Sequence, residues 1–364
     1  MGYLRLILAI FVVAQLIGGA KYLGASAVQV FFILSGYLMT AIMVRTYGYS
    51  GSGFARFWIN RVLRLYPVYF IVIGLTAALV HVAGSDVTSG IVIAMVMPAS
   101  GVEWLQNLTM VYADIRPITV LPRLSPATWA LTLELACYLL ISLGVTRSLR
   151  TTQIWLAVGA CYMVLALFGS GAPQHWGYSA IPAAFLPFAV GALIYHLRAG
   201  RTRVWQWVLA WLPDDPARAL TRVMAPALVA IFLCTVLRAG VFVATRSELA
   251  GMMFYLLNIL PGAVAVIAAV EWRAASPRTR RLDKVCGDLA YPVYLAHWLV
   301  AVAIMVALPG LAEGILAIRP VAFLVFIGPI LLVSLALVAL VDGPVNRMRD
   351  AVRPGPGRYR SDRA

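Results

Sequence analysis

The stretch YLRLILAIFVVAQLIGG, residues 3–19, is apolar throughout except for Arg5 near its start and Gln15 near its end. A helix of about 20 apolar residues crosses a hydrocarbon core about 30 Å thick, so this run has membrane-spanning length. A charged group inside such a run is costly in lipid and marks a functional position by default. The rest of the chain repeats the pattern, with 62% of its 364 residues apolar and only 12% charged. A water-exposed surface cannot be made from that composition. Lipid offers no partners to backbone N–H and C=O groups, so spans must be helices or a closed barrel. The apolar runs lack two-residue alternation and therefore select helices.

Ten spans are expected, at 3–20, 27–45, 66–84, 126–145, 153–170, 179–198, 223–241, 252–271, 289–308 and 320–341. The fold class is all-α, a polytopic integral membrane helix bundle with both termini cytoplasmic. Its arginines and lysines support that topology: of 29, only Lys21, Arg116, Arg123, Arg238, Arg246 and Arg319 fall on the outer face. Such an excess on one side orients a chain in a bacterial inner membrane. The net charge of +15 is spread over short loops between spans, which fits topology and membrane lipids rather than a nucleic-acid partner. The small residues GASA at 24–27 resemble a signal cleavage site, but losing the first span would leave nine and spoil the alternation. Cys137, Cys161, Cys234 and Cys286 stand singly, without metal-binding spacing, and read as small core residues. No metal site is expected. The outer segment 83–125 is too long for a simple turn and is expected to act as a lid or acceptor platform.

Three constellations carry chemistry. In FARFWINRVLRLYPVYF, residues 54–70, Arg56, Arg61 and Arg64 make a basic stripe beside an aromatic face. The segment is expected to lie along the cytoplasmic interface until Pro67 opens the third span. It can flank lipid phosphates, or grip a phosphorylated cofactor by paired hydrogen bonds. In SPATWALTLELACYLL, residues 125–140, Glu134 sits about two turns inside an apolar helix. It either serves a site, facing an arginine or a substrate hydroxyl, or bonds a neighbouring helix in its neutral form. In CGDLAYPVYLAHWLV, residues 286–300, His297 follows Tyr294 by three positions on one face. It is a packed core histidine or a base, and His81 and His175 are open to the same two readings.

The ordered set of phrases resembles the acyltransferase 3 family of membrane-bound O-acyltransferases nearly end to end. YLRLILAIFVV and FFILSGYLMT match its opening, Arg61, Arg64, Tyr66 and Pro67 its Arg-x-x-Arg-x-Tyr-Pro, and Trp129, Leu131 and Glu134 its Trp-x-Leu-x-x-Glu. Tyr294 to Trp298 match a Tyr-Leu-x-His-Trp segment, and Asp342, Pro344 and Arg347 nearly match its closing Glu-x-Pro-x-x-Arg. The resemblance implies an acyltransferase domain over 1–346 and a basic cytoplasmic tail over 347–364. It implies transfer of an acyl group, commonly acetyl, from acyl-CoA to a hydroxyl of a saccharide, glycolipid or secondary metabolite. Acyl-CoA is then a co-substrate, and no tightly bound cofactor is expected. Arg61 and Arg64, with Arg56 and Tyr66 beside them, would hold the CoA phosphates, while Glu134 and the first helix with Arg5 and Gln15 line the transfer site. The family places a histidine after ten residues that intervene between it and the first-helix arginine; counted from Arg5 that position is Leu16, next to Gln15. Three accounts follow: a base relocated to His297 or His81, transfer driven by Glu134 or by positioning, or a fold that keeps binding, transport or a supporting role without the chemistry.

Overall fold

The computed structural model describes residues 1–213, 215–310, 318–342, 344, 345, 348 and 349, which form helices and connecting turns with no strand among them. Eight helical segments among the described residues are long and apolar enough to cross a membrane: Leu23–Tyr47, Gly51–Ala83, Leu149–Phe168, Ile181–Ala199, Pro216–Thr245, Glu248–Glu271, Pro277–Ala307 and Pro320–Val341. Two shorter apolar helices, Gly2–Leu16 and Pro126–Ser142, complete the ten segments expected. The protein is a multi-pass membrane helix bundle. Most of the tail over 347–364, including Arg347, lies outside the described residues.

In chain order the α-helices are α1 (Gly2–Leu16), α2 (Leu23–Ile42), α3 (Gly51–Ala83), α4 (Ser85–Ile91), α5 (Gly101–Thr109), α6 (Trp129–Ser142), α7 (Leu149–Phe168), α8 (Pro173–Tyr178), α9 (Phe185–Ala199), α10 (Arg203–Ala210), α11 (Ala225–Thr245), α12 (Glu248–Leu257), α13 (Ile259–Glu271), α14 (Pro277–Ala307) and α15 (Arg319–Leu337). The segments containing α2 and α14 are each 67% buried over their apolar windows, whereas those containing α11 and α15 are 22% and 28% buried. The first pair forms the centre of the bundle and the second pair faces outward. Lipid tails are as apolar as leucine, so helices associate in a membrane by close packing rather than by hydrophobic transfer. The contact of α2 with α9 shows this. A Cβ on Gly36 would lie 2.1 Å from the Phe188 carbonyl oxygen, and one on Gly191 would lie 1.9 Å from that of Ile33. Only glycine at both positions lets these backbones approach so closely.

Helix α1 lies against α14 and α2. Asp283 of α14 accepts the Tyr3 backbone N–H at 3.0 Å, so its carboxylate caps the amino-terminal turn of α1, where free N–H groups favour negative charge. This contact puts the start of α1 beside Arg278, Arg280, Arg281 and Lys284, at what we call the basic end.

Two helices start earlier than the sequence pattern predicts. Helix α3 runs unbroken from Gly51 through Pro67, capped by Ser50, whose Oγ accepts the Gly53 N–H at 3.2 Å. The Arg56–Arg64 stretch is therefore the first half of a 33-residue helix, not a separate interfacial segment. Proline inside a membrane helix is tolerated where neighbouring groups satisfy the backbone. Helix α14 begins at Pro277, twelve residues ahead of the predicted span, behind a Ser276–Thr279 capping box. The segment 83–125 is a folded cap rather than a loose loop. It contains α4, α5 and a 3-10 turn at Pro117–Thr119. Buried Asn107 bonds the Pro122 carbonyl at 2.9 Å and accepts the Leu124 N–H at 2.8 Å. Arg123, also buried, donates to the carbonyls of Ile118 at 2.8 Å and Pro126 at 3.3 Å. Among the cysteines Cys137 is buried, while Cys161 faces outward and is not a core residue.

Candidate functional site

Five helices, α1, α2, α3, α6 and α14, converge on a cavity of about 130 Å³. Its charged lining residues are Arg5 from α1, Arg61 and Arg64 from α3, and Glu134 from α6. The walls between them are Phe31, Phe32, Met39, Leu65, Leu131 and the rings of Tyr138, Tyr291 and Tyr294. The small volume suits the reacting end of a ligand rather than a whole nucleotide, since pockets for drug-sized ligands run to about 300–1,000 Å³.

Each charged group is set by its helix. Glu134 lies in the second turn of α6 and reaches across to α2, where Ser35 donates its hydroxyl to Glu134 Oε1 at 2.6 Å. One turn further along α6, the Tyr138 hydroxyl donates to the same oxygen. Both bonds engage Oε1, which holds the carboxyl in one orientation and leaves Oε2 for the cavity. Arg61 stacks its guanidinium 5.7 Å from the Phe57 ring centroid, donates from Nη2 to Asn60 Oδ1 at 3.2 Å, and contacts the Met39 sulfur from Nη1 at 3.4 Å. Its Nε is buried with no hydrogen-bond partner. Arg64 reaches Asp288 at 4.0 Å, a loose pair that leaves most of its hydrogen-bonding capacity unused. Arg5 stands close enough to Arg64, Arg61 and Glu134 to interact with each electrostatically. Three guanidiniums and one carboxyl thus line an apolar pocket with excess positive charge, an arrangement stabilised by an anion. Tyr291 donates its hydroxyl to the Leu65 carbonyl at 2.9 Å and Trp58 its indole N–H to Ser142 Oγ at 3.2 Å, fixing α3 against α14 and α6 at this level.

The sequence-predicted residues divide. Arg5, Arg61, Arg64 and Glu134 meet in one cavity, although the sequence separates them by up to 129 positions. Arg56 is exposed and lines no part of it. Tyr66 points elsewhere: its hydroxyl donates to the Thr109 carbonyl at 2.5 Å, and it lines an apolar groove of about 470 Å³ between α3 and α6 that Arg61 also reaches. Gln15 lies at the opposite end of α1, where its Oε1 accepts the Ala25 N–H at 3.2 Å. There Gln15 and Leu16 line a separate cavity of about 570 Å³. His297 is fully buried, with Nδ1 2.8 Å from the Tyr294 carbonyl oxygen, and lines neither cavity. His81 and His175 are exposed, and His196 contacts the Thr146 carbonyl through Nε2 at 3.0 Å. None of the chain's four histidines lines either cavity. Ser35, Tyr138 and Arg238, which are not among the sequence-predicted site residues, all line one or the other. Arg238 carried a usable signal, a charge inside the apolar run 223–241, the same signal that singled out Glu134.

The fold and site define a membrane-embedded helix bundle with a cationic polar cavity buried among its spans. Residues 2–339 match the acyltransferase 3 family, described as an acyltransferase domain, and the chain belongs to that family. It is also similar to Nodulation protein 10 of Rhizobium leguminosarum bv. viciae, 25% identical over 284 residues that cover 76% of this chain and 71% of that protein. No solved structure matches the chain.

Proposed function

We propose that the protein moves an acyl group, acetyl in the simplest case, from acyl-CoA to a hydroxyl of a saccharide, glycolipid or secondary-metabolite acceptor at a bacterial inner membrane. The observation that supports this most is the meeting of Arg5, Arg61, Arg64 and Glu134 in one cavity at the basic end. With that end cytoplasmic, acyl-CoA enters from its own compartment. Arg61 and Arg64 attract its phosphates, with Arg278, Arg280, Arg281 and Lys284 adding to the positive field outside. The thioester end enters the cavity. The acceptor oxygen attacks the thioester carbonyl carbon; the C–O bond forms, the C–S bond breaks, and the CoA thiolate leaves. Glu134 Oε2 takes the hydroxyl proton and passes it to the departing sulfur. Arg5 then stabilises negative charge developing on the carbonyl oxygen.

Equilibrium binding of CoA to the detergent-purified protein tests the donor site. Arg61→Ala and Arg64→Ala should each weaken CoA by about tenfold or more, the usual worth of a charge-assisted hydrogen bond. Unchanged affinity in both removes the assignment. Mass spectrometry of envelope glycans and lipids with and without the gene should then show a difference of one acyl group.

Leu16 favours a second reading, in which the chain binds or transports a ligand without transferring acyl groups. On that reading Leu16→His creates acyl-CoA turnover where the unaltered protein has none. Turnover in the unaltered protein rules it out.

A further inference from the structure

The cavity at the far end of α1 is lined by Gln15, Leu16, Gly19, Lys21, Tyr22, Ala25, Gln174, Tyr178 and Arg238, with no carboxyl group among them. Arg238 is its unusual member. It sits in α11, 2% exposed, with no acidic partner in ion-pairing range among the described residues. Its guanidinium lies between two aromatic faces, 4.2 Å from the Tyr22 ring centroid and 5.1 Å from that of Tyr255. The faces of the cation are therefore occupied and its donor edge is not. Nη2 has only the Met252 sulfur at 3.6 Å, and Nη1 is buried without any hydrogen-bond partner. Glu248 makes no ion pair with Arg238 and accepts the backbone N–H of the lining residue Gln174 through Oε2 at 3.3 Å.

A buried guanidinium with a free donor edge carries a desolvation cost that aromatic stacking offsets only in part. An incoming oxyanion satisfies it, because the planar fork of N–H groups matches the oxygens of a phosphate or carboxylate. Lys21 adds a second cation, and Tyr22, Tyr178 and the two glutamine amides add neutral donors around the same space.

We propose that this cavity is an oxyanion site that holds the phosphate or carboxylate of an anionic acceptor, with Arg238 as its anchor. Calling that ligand the acceptor rests on the acyl-transfer reading above; the oxyanion site itself does not. Leu16, at the family's histidine position, lines the same cavity.

Binding of glucose 1-phosphate, glucuronate and glucose to the detergent-purified full chain tests this. One or both charged sugars should bind, with inorganic phosphate competing, and glucose should not. Arg238→Gln should weaken the charged sugars by about tenfold or more while CoA binding by the same preparation persists, which shows that the variant is folded. Arg61→Ala should leave sugar binding intact, which separates this cavity from the arginine cavity at the other end. In nanodiscs of phosphatidylcholine, stabilisation by added phosphatidic acid but not by the soluble sugars would make the anion a lipid headgroup; stabilisation by the sugars would make it a soluble one. Equal binding of glucose, no effect of Arg238→Gln, or no binding of any anion overturns the proposal. Loss of CoA binding in the unaltered protein with oxyanion binding retained would overturn the donor reading and leave this site standing.

Discussion

The cavity at the basic end and the cavity at the opposite end differ in one chemical respect. The first combines three guanidiniums with Glu134, whose Oε1 is held by two hydroxyl donors; the second has Arg238 and Lys21 and no carboxyl group. A pocket with both cations and a fixed carboxyl can bind an anion and move a proton. A pocket with cations and neutral donors can bind and orient. Along α1 they are well apart, since Arg5 and Leu16 are separated by about 16 Å of helix rise. Along α2 they nearly meet. Ala25 lines one and Val28 the other, about 4.5 Å apart in rise. Along α2 the barrier between the two linings is Ser26 and Ala27.

That contrast can be broken at several points. The largest effect is expected from Glu134→Gln, which keeps the shape of the pocket and removes its proton acceptor. Acyl transfer should fall by about 10³-fold, within the range for a general base, while CoA affinity and oxyanion binding are retained. Retained turnover would reduce Glu134 to a structural bond between α6 and α2. Next is Val28→Phe, which thickens the barrier. Misplacing reacting groups by an ångström costs about 10²-fold, so transfer should drop by that order while each cavity still binds its own ligand. A loss of either binding instead would mean the spaces are not independent. Tyr138→Phe removes one of the two donors to Glu134, and turnover should fall about tenfold, with Ser35 still in place. The smallest effect on chemistry is expected from His297→Asn. Its ring lines neither cavity, so turnover per folded molecule should be unchanged, and any change should appear as lower thermal stability, about 1–3 kcal/mol for disturbing a buried polar contact. A collapse of turnover there would restore a histidine base.

Much of the site was legible because charge inside an apolar run is rare and costly. Arg5 and Glu134 stand out on that ground alone, and the Arg61–Arg64 spacing places both guanidiniums on one helical face. Arg56 shares the stripe but is exposed and outside the cavity lining, about 12 Å of helix rise before Arg64. His297 is buried, and its Nδ1 pairs within its own helix with the Tyr294 carbonyl while its Nε2 has no hydrogen-bond partner among the described residues. Local sequence does not say whether a polar group is satisfied by its own turn or by a ligand. The start of α14 was written in Ser276 and Pro277, an ordinary capping signal that the strong hydropathy of the following span concealed. The continuation of α3 through Pro67 had no such signal, because it depends on packing around the proline.

By itself the sequence determined that the chain is a bundle of membrane helices and which few charges lie inside it, since both follow from the length of apolar runs and the cost of a charge in lipid. Only the tertiary structure decided which of those charges face one another. It joined Glu134 to Ser35 and set Arg238 between Tyr22 and Tyr255, because helices from distant parts of the chain had to pack before either environment existed.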